Sequence, residues 1–249
     1  MHSFMTAPAG SNALASRTPK RFLNSDGNAV EPIPAIAADV TALTAGYRAL
    51  VRARIFDEKA IALQRTGRLG TYASCLGQEA VGVGIAQMMA EDDVFLPSFR
   101  EQAAQLVRGV SMTELLLVWG GDERGNNFAK ARQDFPISIP VASHFPHAVG
   151  VALAMKLRGE NRVAVAIAGD GATSTGDFYE ALNMAGVWKV PAIFAITNNQ
   201  WAISVRRQDQ TAAQTLAQKA VAAGVAGERV DGNDLIAVRE VMRNALDYA

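Results

Sequence analysis

The chain is expected to adopt an α/β fold, a parallel sheet flanked by helices, and three observations predict it. Arg162 to Ala168 and Pro191 to Thr197 are short runs rich in Val, Ile and Ala with little alternation, as strands buried on both faces must be. Asp177 to Trp188, between them, has helical periodicity. A strand, a helix and a strand within about 35 residues form a right-handed crossover unit, whose two strands lie parallel with the helix on one face.

The remaining elements follow in order. Residues 1–40 read as an N-terminal extension, partly disordered, and 41–249 as one domain without internal repeats. The first 25 residues lack acids and carry Arg17, Lys20 and Arg21, as a mitochondrial transit segment would, yet Pro8 and Pro19 interrupt any amphipathic helix and favour a disordered polar start. Thr41 to Arg65 places Tyr47, Leu50, Val51 and Ile55 on one helical stripe. Gly67 and Gly70 stop that helix, and Gln78 to Ala90 reads as a second one, with Val81, Ile85, Met88 and Met89 facing inward. Asp93 to Leu96 is a buried strand ending at Pro97, and Arg100 to Arg108 and Met112 to Trp119 return to helical spacing. Gly120 to Asp134 loses all periodicity, a loop longer than connections usually are. Pro146 to Gly159 is a helix rich in small residues that allow a neighbouring backbone close. Helices at Thr211 to Ala223 and Leu235 to Tyr248, with a short strand near Glu228 to Val230, complete the pattern.

Composition excludes several classes of function. There are 24 Lys plus Arg and 24 Asp plus Glu, so no general basic field exists to hold nucleic acid or an anionic membrane. No apolar run approaches the roughly 20 residues that cross a bilayer. Cys75 is the single cysteine, which fits a reducing compartment, and His2, His144 and His147 form no Cys/His metal pattern.

The chemistry is concentrated at two strand ends. Gly169-Asp170-Gly171 closes the first crossover strand, and after 26 intervening residues Asn198-Asn199 closes the second. Ligands of open parallel sheets bind at this carboxyl rim, where adjacent strands bring Asp170 and Asn199 together. One carboxylate and one amide oxygen suit magnesium, which leaves positions for phosphate and water, so a diphosphate is implied. Gly169 and Gly171 permit a tight turn close to phosphate, and the following helix start offers free N–H groups. The spacing Gly169, Gly171, Gly176 departs from the nicotinamide fingerprint.

Gly-Asp-Gly and Asn-Asn at this separation resemble the thiamine diphosphate signature. Residues 169–180 and 198–204 are similar to the α chain of the decarboxylating component of 2-oxo-acid dehydrogenase complexes, above all the bacterial pyruvate dehydrogenase α chains. The similarity extends from about Arg21 to the last residue, through Gly77-Gln78-Glu79-Ala80, Pro97-Ser98-Phe99-Arg100 and Val230-Asp231-Gly232. It implies a thiamine diphosphate-binding, transketolase-like fold, with Asp170, Asn199 and the Trp201 carbonyl on Mg2+. It also implies diphosphate contacts from Gly171 and Ala172 after Gly169, a charge-assisted bond from Arg100, and a cofactor pocket lined by Tyr72, Phe99, Ile139 and Val141. The implied reaction is oxidative decarboxylation of pyruvate with acyl transfer to a lipoyl group. The implied partners are a β subunit, in an assembly of two α and two β chains, and a lipoyl-bearing dihydrolipoyl acyltransferase. A branched-chain 2-oxo-acid dehydrogenase α subunit and a truncated, non-catalytic assembly subunit are the alternatives. The implied location is the bacterial cytoplasm rather than the mitochondrial matrix.

Three departures from the family accompany the match. Its catalytic-loop histidine lies beyond Ala249, so the sequence reads as a fragment or a truncated relative, and catalytic residues are not assigned. His144 stands where the family commonly has Gln. The loop Gly120 to Asn127 lacks the His or Lys of many relatives.

Overall fold

The computed structural model describes residues 18–249 and the backbone of 2–6. The elements in order are β1 (His2–Thr6), α1 (Val40–Arg65), α2 (Glu79–Met88), β2 (Val94–Pro97), α3 (Gln102–Val107), α4 (Met112–Trp119), α5 (His144–Arg158), β3 (Ala164–Gly169), α6 (Gly176–Trp188) and β4 (Ala192–Thr197). A short hairpin, β5 (Trp201–Ala202) and β6 (Val205–Arg206), follows, then α7 (Arg207–Gln210), α8 (Gln218–Ala222), β7 (Ala226–Val230) and α9 (Leu235–Tyr248).

The main sheet has the order β2-β3-β4-β1-β7. Strands β2, β3 and β4 are parallel, with Pro97 opposite Ile167 and Gly169 opposite Thr197. The expected parallel sheet is thus present, and β1 extends it by pairing antiparallel with both β4 and β7. Residues 2–6 of the extension therefore form a strand where a disordered start was expected, whereas Pro8 and Arg17 lie outside the described residues.

Both faces of the parallel strands are covered, which is why they are apolar throughout. Ala164, Ala166, Ala168, Phe194 and Ile196 pack against Phe145, Ala148 and Ala152 of α5 and Phe178, Leu182 and Ala185 of α6. Val165, Ile167, Ile193 and Ala195 face the other way, onto Val81 and Ile85 of α2 and Val238, Val241 and Met242 of α9. At Gly84 a Cβ would lie 2.6 Å from Val238 Cγ1, so α2 and α9 meet at a distance that only glycine allows.

Local signals set the ends of these elements. A capping box of Ser111 and Glu114 starts α4, and left-handed Gly159 ends α5. Asp234 caps α9 through Ile236 N and Ala237 N with one oxygen, while the other accepts from Phe22 N and Leu23 N at 2.7 and 2.8 Å. One buried carboxylate thereby ties the segment before α1 to the start of α9.

Two expectations change. Helix α1 forms, but Tyr47, Val51 and Ile55 are 67%, 40% and 59% exposed, and the buried face is Gly46, Ala53, Phe56, Asp57 and Ala60. Close packing there selects small residues, so the larger apolar stripe points outward. The helix expected from Thr211 shrinks to Gln218–Ala222. Thr211 Oγ1 accepts from Ala213 N and Gln218 Oε1 accepts from Thr215 N, and such side-chain bonds compete with helical ones.

At the amino end of β2, the buried side chain of Arg108 forms a two-pronged pair with Asp134, Nε to Oδ2 at 2.7 Å and Nη2 to Oδ1 at 2.8 Å, and Asp134 also accepts from Phe95 N. Asp134→Ala would leave that guanidinium buried beside carbonyls alone. Urea denaturation should show a loss of about 3 kcal/mol or more, with an unchanged m-value.

Candidate cofactor site

Parallel register decides which residues meet. The carboxyl ends of β2, β3 and β4 lie side by side, so Phe99 and Arg100, Asp170 to Ala172, and Asn199 all emerge on one rim. The loop carrying Ile139 and Val141 spans the first gap: Ser138 N donates to Pro97 O at 3.2 Å, and His144 Nε2 is 3.0 Å from Ile167 O. Ile139 and Val141 are exposed between those anchors.

After Gly169 the chain enters a 3-10 turn, Asp170–Ser174. Asp170 is fully buried at its first position. Its Oδ2 accepts from Gln210 Nε2 at 3.2 Å, while Oδ1 has no hydrogen-bond partner. Burial pushes its pKa up, partly offset by the Gln210 amide, by backbone N–H groups of Asp170 and Asn199, and by the charge of Arg207. An orphaned buried carboxylate oxygen is what a cation ligand looks like without its cation. Asn199 lies beside it at the end of β4, its Oδ1 accepting from Trp201 N at 3.1 Å with a second lone pair left over. The β5–β6 hairpin then folds over the turn, so close that a Cβ on Gly171 would lie 2.7 Å from Ala202 Cβ. Trp201 is brought next to the turn by the same contact. A carboxylate and an amide oxygen side by side suit a hard divalent cation.

Tyr72, Phe99 and Arg100 form a second group. Arg100 Nη1 donates to Ser74 O at 2.7 Å, and its guanidinium lies 5.5 Å from the Phe99 ring centre. Tyr72 OH donates to Asp57 Oδ1 at 2.8 Å, and the ring meets Trp119 edge to face. Burial and that bond push the tyrosine pKa up, so it stays protonated. Burial also pushes neighbouring Glu101 up to about 8, against the N–H and charge of Arg100.

Several residues at this rim escaped the sequence reading. Asp57 accepts from Tyr72 OH, Ser74 Oγ and Cys75 N, fixing the extended segment that Arg100 grips. Gln210 and Lys219 hold the Asp170 turn from segments far along the chain. Ile203 is fully exposed with φ +57°, a strained conformation for a β-branched residue, and such strain concentrates at functional sites. In the sequence, Asp57 and Lys219 look like ordinary helix charges, and no local signal marks Ile203.

A family model, the dehydrogenase E1 component, matches residues 47–249. The chain belongs to the dehydrogenase E1 component family. Its fold is accordingly the thiamine diphosphate-binding one, here with the parallel strands β2, β3 and β4 between helical layers. A curated relative from Staphylococcus aureus strain Mu50, named pyruvate dehydrogenase E1 component subunit alpha, is 43% identical over 200 residues, 80% of this chain and 54% of its own length. Proteins of the same name from Mycoplasma genitalium and Mycoplasma pneumoniae are 38% identical over 226 residues, 91% of this chain and 63% of theirs. The chain thus spans somewhat more than half the length of the curated relatives it matches.

His144 is buried, and desolvation holds its pKa down to about 4, although the Ile167 carbonyl favours the charged form. The folded state therefore binds this proton less tightly than the unfolded chain. Stability associated with neutral His144 is complete above pH 6.5 and drains away as pH falls toward 4, on the order of 3 kcal/mol. His144→Gln should flatten the acid limb of a denaturation-against-pH curve within that window and leave the curve above pH 7 parallel to the parent.

Proposed function

We propose that this chain is the α subunit of an acetyl-transferring pyruvate dehydrogenase component. In this reading it works in the bacterial cytoplasm with a β subunit, two copies of each, and transfers an acyl unit to the lipoyl group of a dihydrolipoyl acyltransferase. The observation that carries the reading is Asp170, a buried carboxylate with one oxygen unpartnered, beside Asn199 and the Gly171 turn. The names of the bacterial relatives support the same choice of substrate.

Asp170, Asn199 and the Trp201 carbonyl would hold Mg2+, and the N–H groups of Gly171 and Ala172 with the Arg100 guanidinium would hold the diphosphate. Tyr72, Phe99, Ile139 and Val141 would line the rest of the cofactor's path. Thiamine diphosphate, when bound, supplies the nucleophilic carbon for the 2-oxo group and the electron sink for loss of carbon dioxide. The chain's own part is to neutralise and orient the diphosphate. Asp57 and Ser74 keep Arg100 in place, and protonated Tyr72 adds no competing negative charge.

Calorimetry should show magnesium-dependent binding of thiamine diphosphate that is lost with EDTA and in Asp170→Ala; binding that persists without metal would overturn the ligand assignment. Arg100→Ala should weaken cofactor binding about tenfold or more, the contribution of one charge-assisted hydrogen bond, with folding retained by circular dichroism. With the matching β chain and a dye acceptor, kcat/KM should be higher for pyruvate than for branched-chain 2-oxo acids. The reverse order would reassign the substrate.

A further inference from the structure

Lys219 is the most deeply buried lysine described, 6% exposed in the short helix α8. Its Nζ donates to Thr173 O at 2.5 Å and to Thr173 Oγ1 at 3.0 Å, and it lies 5.1 Å from the centre of the Tyr179 ring. Among the described residues it pairs with no carboxylate. A buried ammonium satisfied only by neutral oxygens and a ring face is costly, and a nearby anion would offset that cost.

Its partner explains where that anion belongs. Thr173 lies in the turn that begins at Asp170, and its hydroxyl donates to Asp170 O at 2.8 Å. The lysine therefore anchors two carbonyls, that of Thr173 directly and that of Asp170 through the hydroxyl. In a planar trans peptide the N–H points opposite to the carbonyl. The N–H of Gly171, which shares its peptide with the Asp170 carbonyl and which the cofactor reading gives to the diphosphate, is thus aimed away from the buried lysine. The same stretch of chain holds the turn a second time, through Gln210 on the Asp170 carboxylate.

We infer that Lys219 is a positioning residue for the diphosphate. Through Thr173 it orients the N–H of Gly171, and from behind the turn it places an uncompensated positive charge. The inference rests on the cofactor reading above and adds a residue to it.

The test uses the full chain with magnesium, and titrates inorganic pyrophosphate and thiamine diphosphate by calorimetry. Lys219→Met should weaken both about tenfold or more, and Thr173→Val should do the same, while Thr173→Ser, which keeps the hydroxyl, should stay within about twofold of the parent. Lys219→Met combined with Thr173→Val should be little weaker than either alone, because both act through one route. In the assembled enzyme the Lys219→Met loss should appear in the cofactor KM with kcat at saturation unchanged. A Lys219→Met chain that is less heat-stable but binds pyrophosphate like the parent would overturn the inference and leave the cofactor reading standing. A parent chain that binds neither ligand would overturn both. Should Lys219→Met not fold, the contrast between Thr173→Val and Thr173→Ser decides the matter.

Discussion

In the parallel ladder that pairs Ala164 to Gly169 with Ala192 to Thr197, a slip of one residue would turn every side chain of a strand to the opposite face. Two different helical layers oppose such a slip: α5 and α6 take one set of side chains, α2 and α9 the other. The same register puts Gly169 level with Thr197 and Pro97 level with Ile167. The site is therefore a consequence of core packing. Residues separated by more than a hundred positions along the chain, Phe99 and Trp201 among them, are delivered to one rim because the strands that carry them cannot shift.

That rim combines two electrostatic situations. Asp170 is buried with an oxygen to spare, and burial makes its charged form costly without a cation. Lys219 is buried behind the same turn without a carboxylate. Each is unfavourable alone, and the pair brackets a short turn whose backbone N–H groups are the remaining donors. On the proposed reading, a magnesium diphosphate would bring charges of both signs to match this arrangement.

Much of this was legible from residue order. The uninterrupted Val/Ile/Ala runs identified strands covered on both faces, and Gly169-Asp170-Gly171 with Asn198-Asn199 marked two neighbouring strand ends. What escaped was of two kinds. Tyr47, Val51 and Ile55 satisfied helical periodicity yet face outward, because Gly46, Ala53 and Ala60 allow the close approach that buries the other side of α1. Asp57, Gln210 and Lys219 were unmarked, because a charged or amide side chain on a helix has the same local appearance whether it meets water or a turn from another part of the chain.

Local residue chemistry by itself determined the α/β class, the strands of the parallel core and the carboxylate and amide side chains at their ends, since these depend on periodicity and on residue type. Tertiary structure alone decided the antiparallel insertion of His2–Thr6 beside β4, the burial of Asp170, and the clamp of Gln210 and Lys219 on its turn. The physical reason is range: helical and strand patterns repeat over a few residues, whereas a buried charge is defined by everything that surrounds it in space.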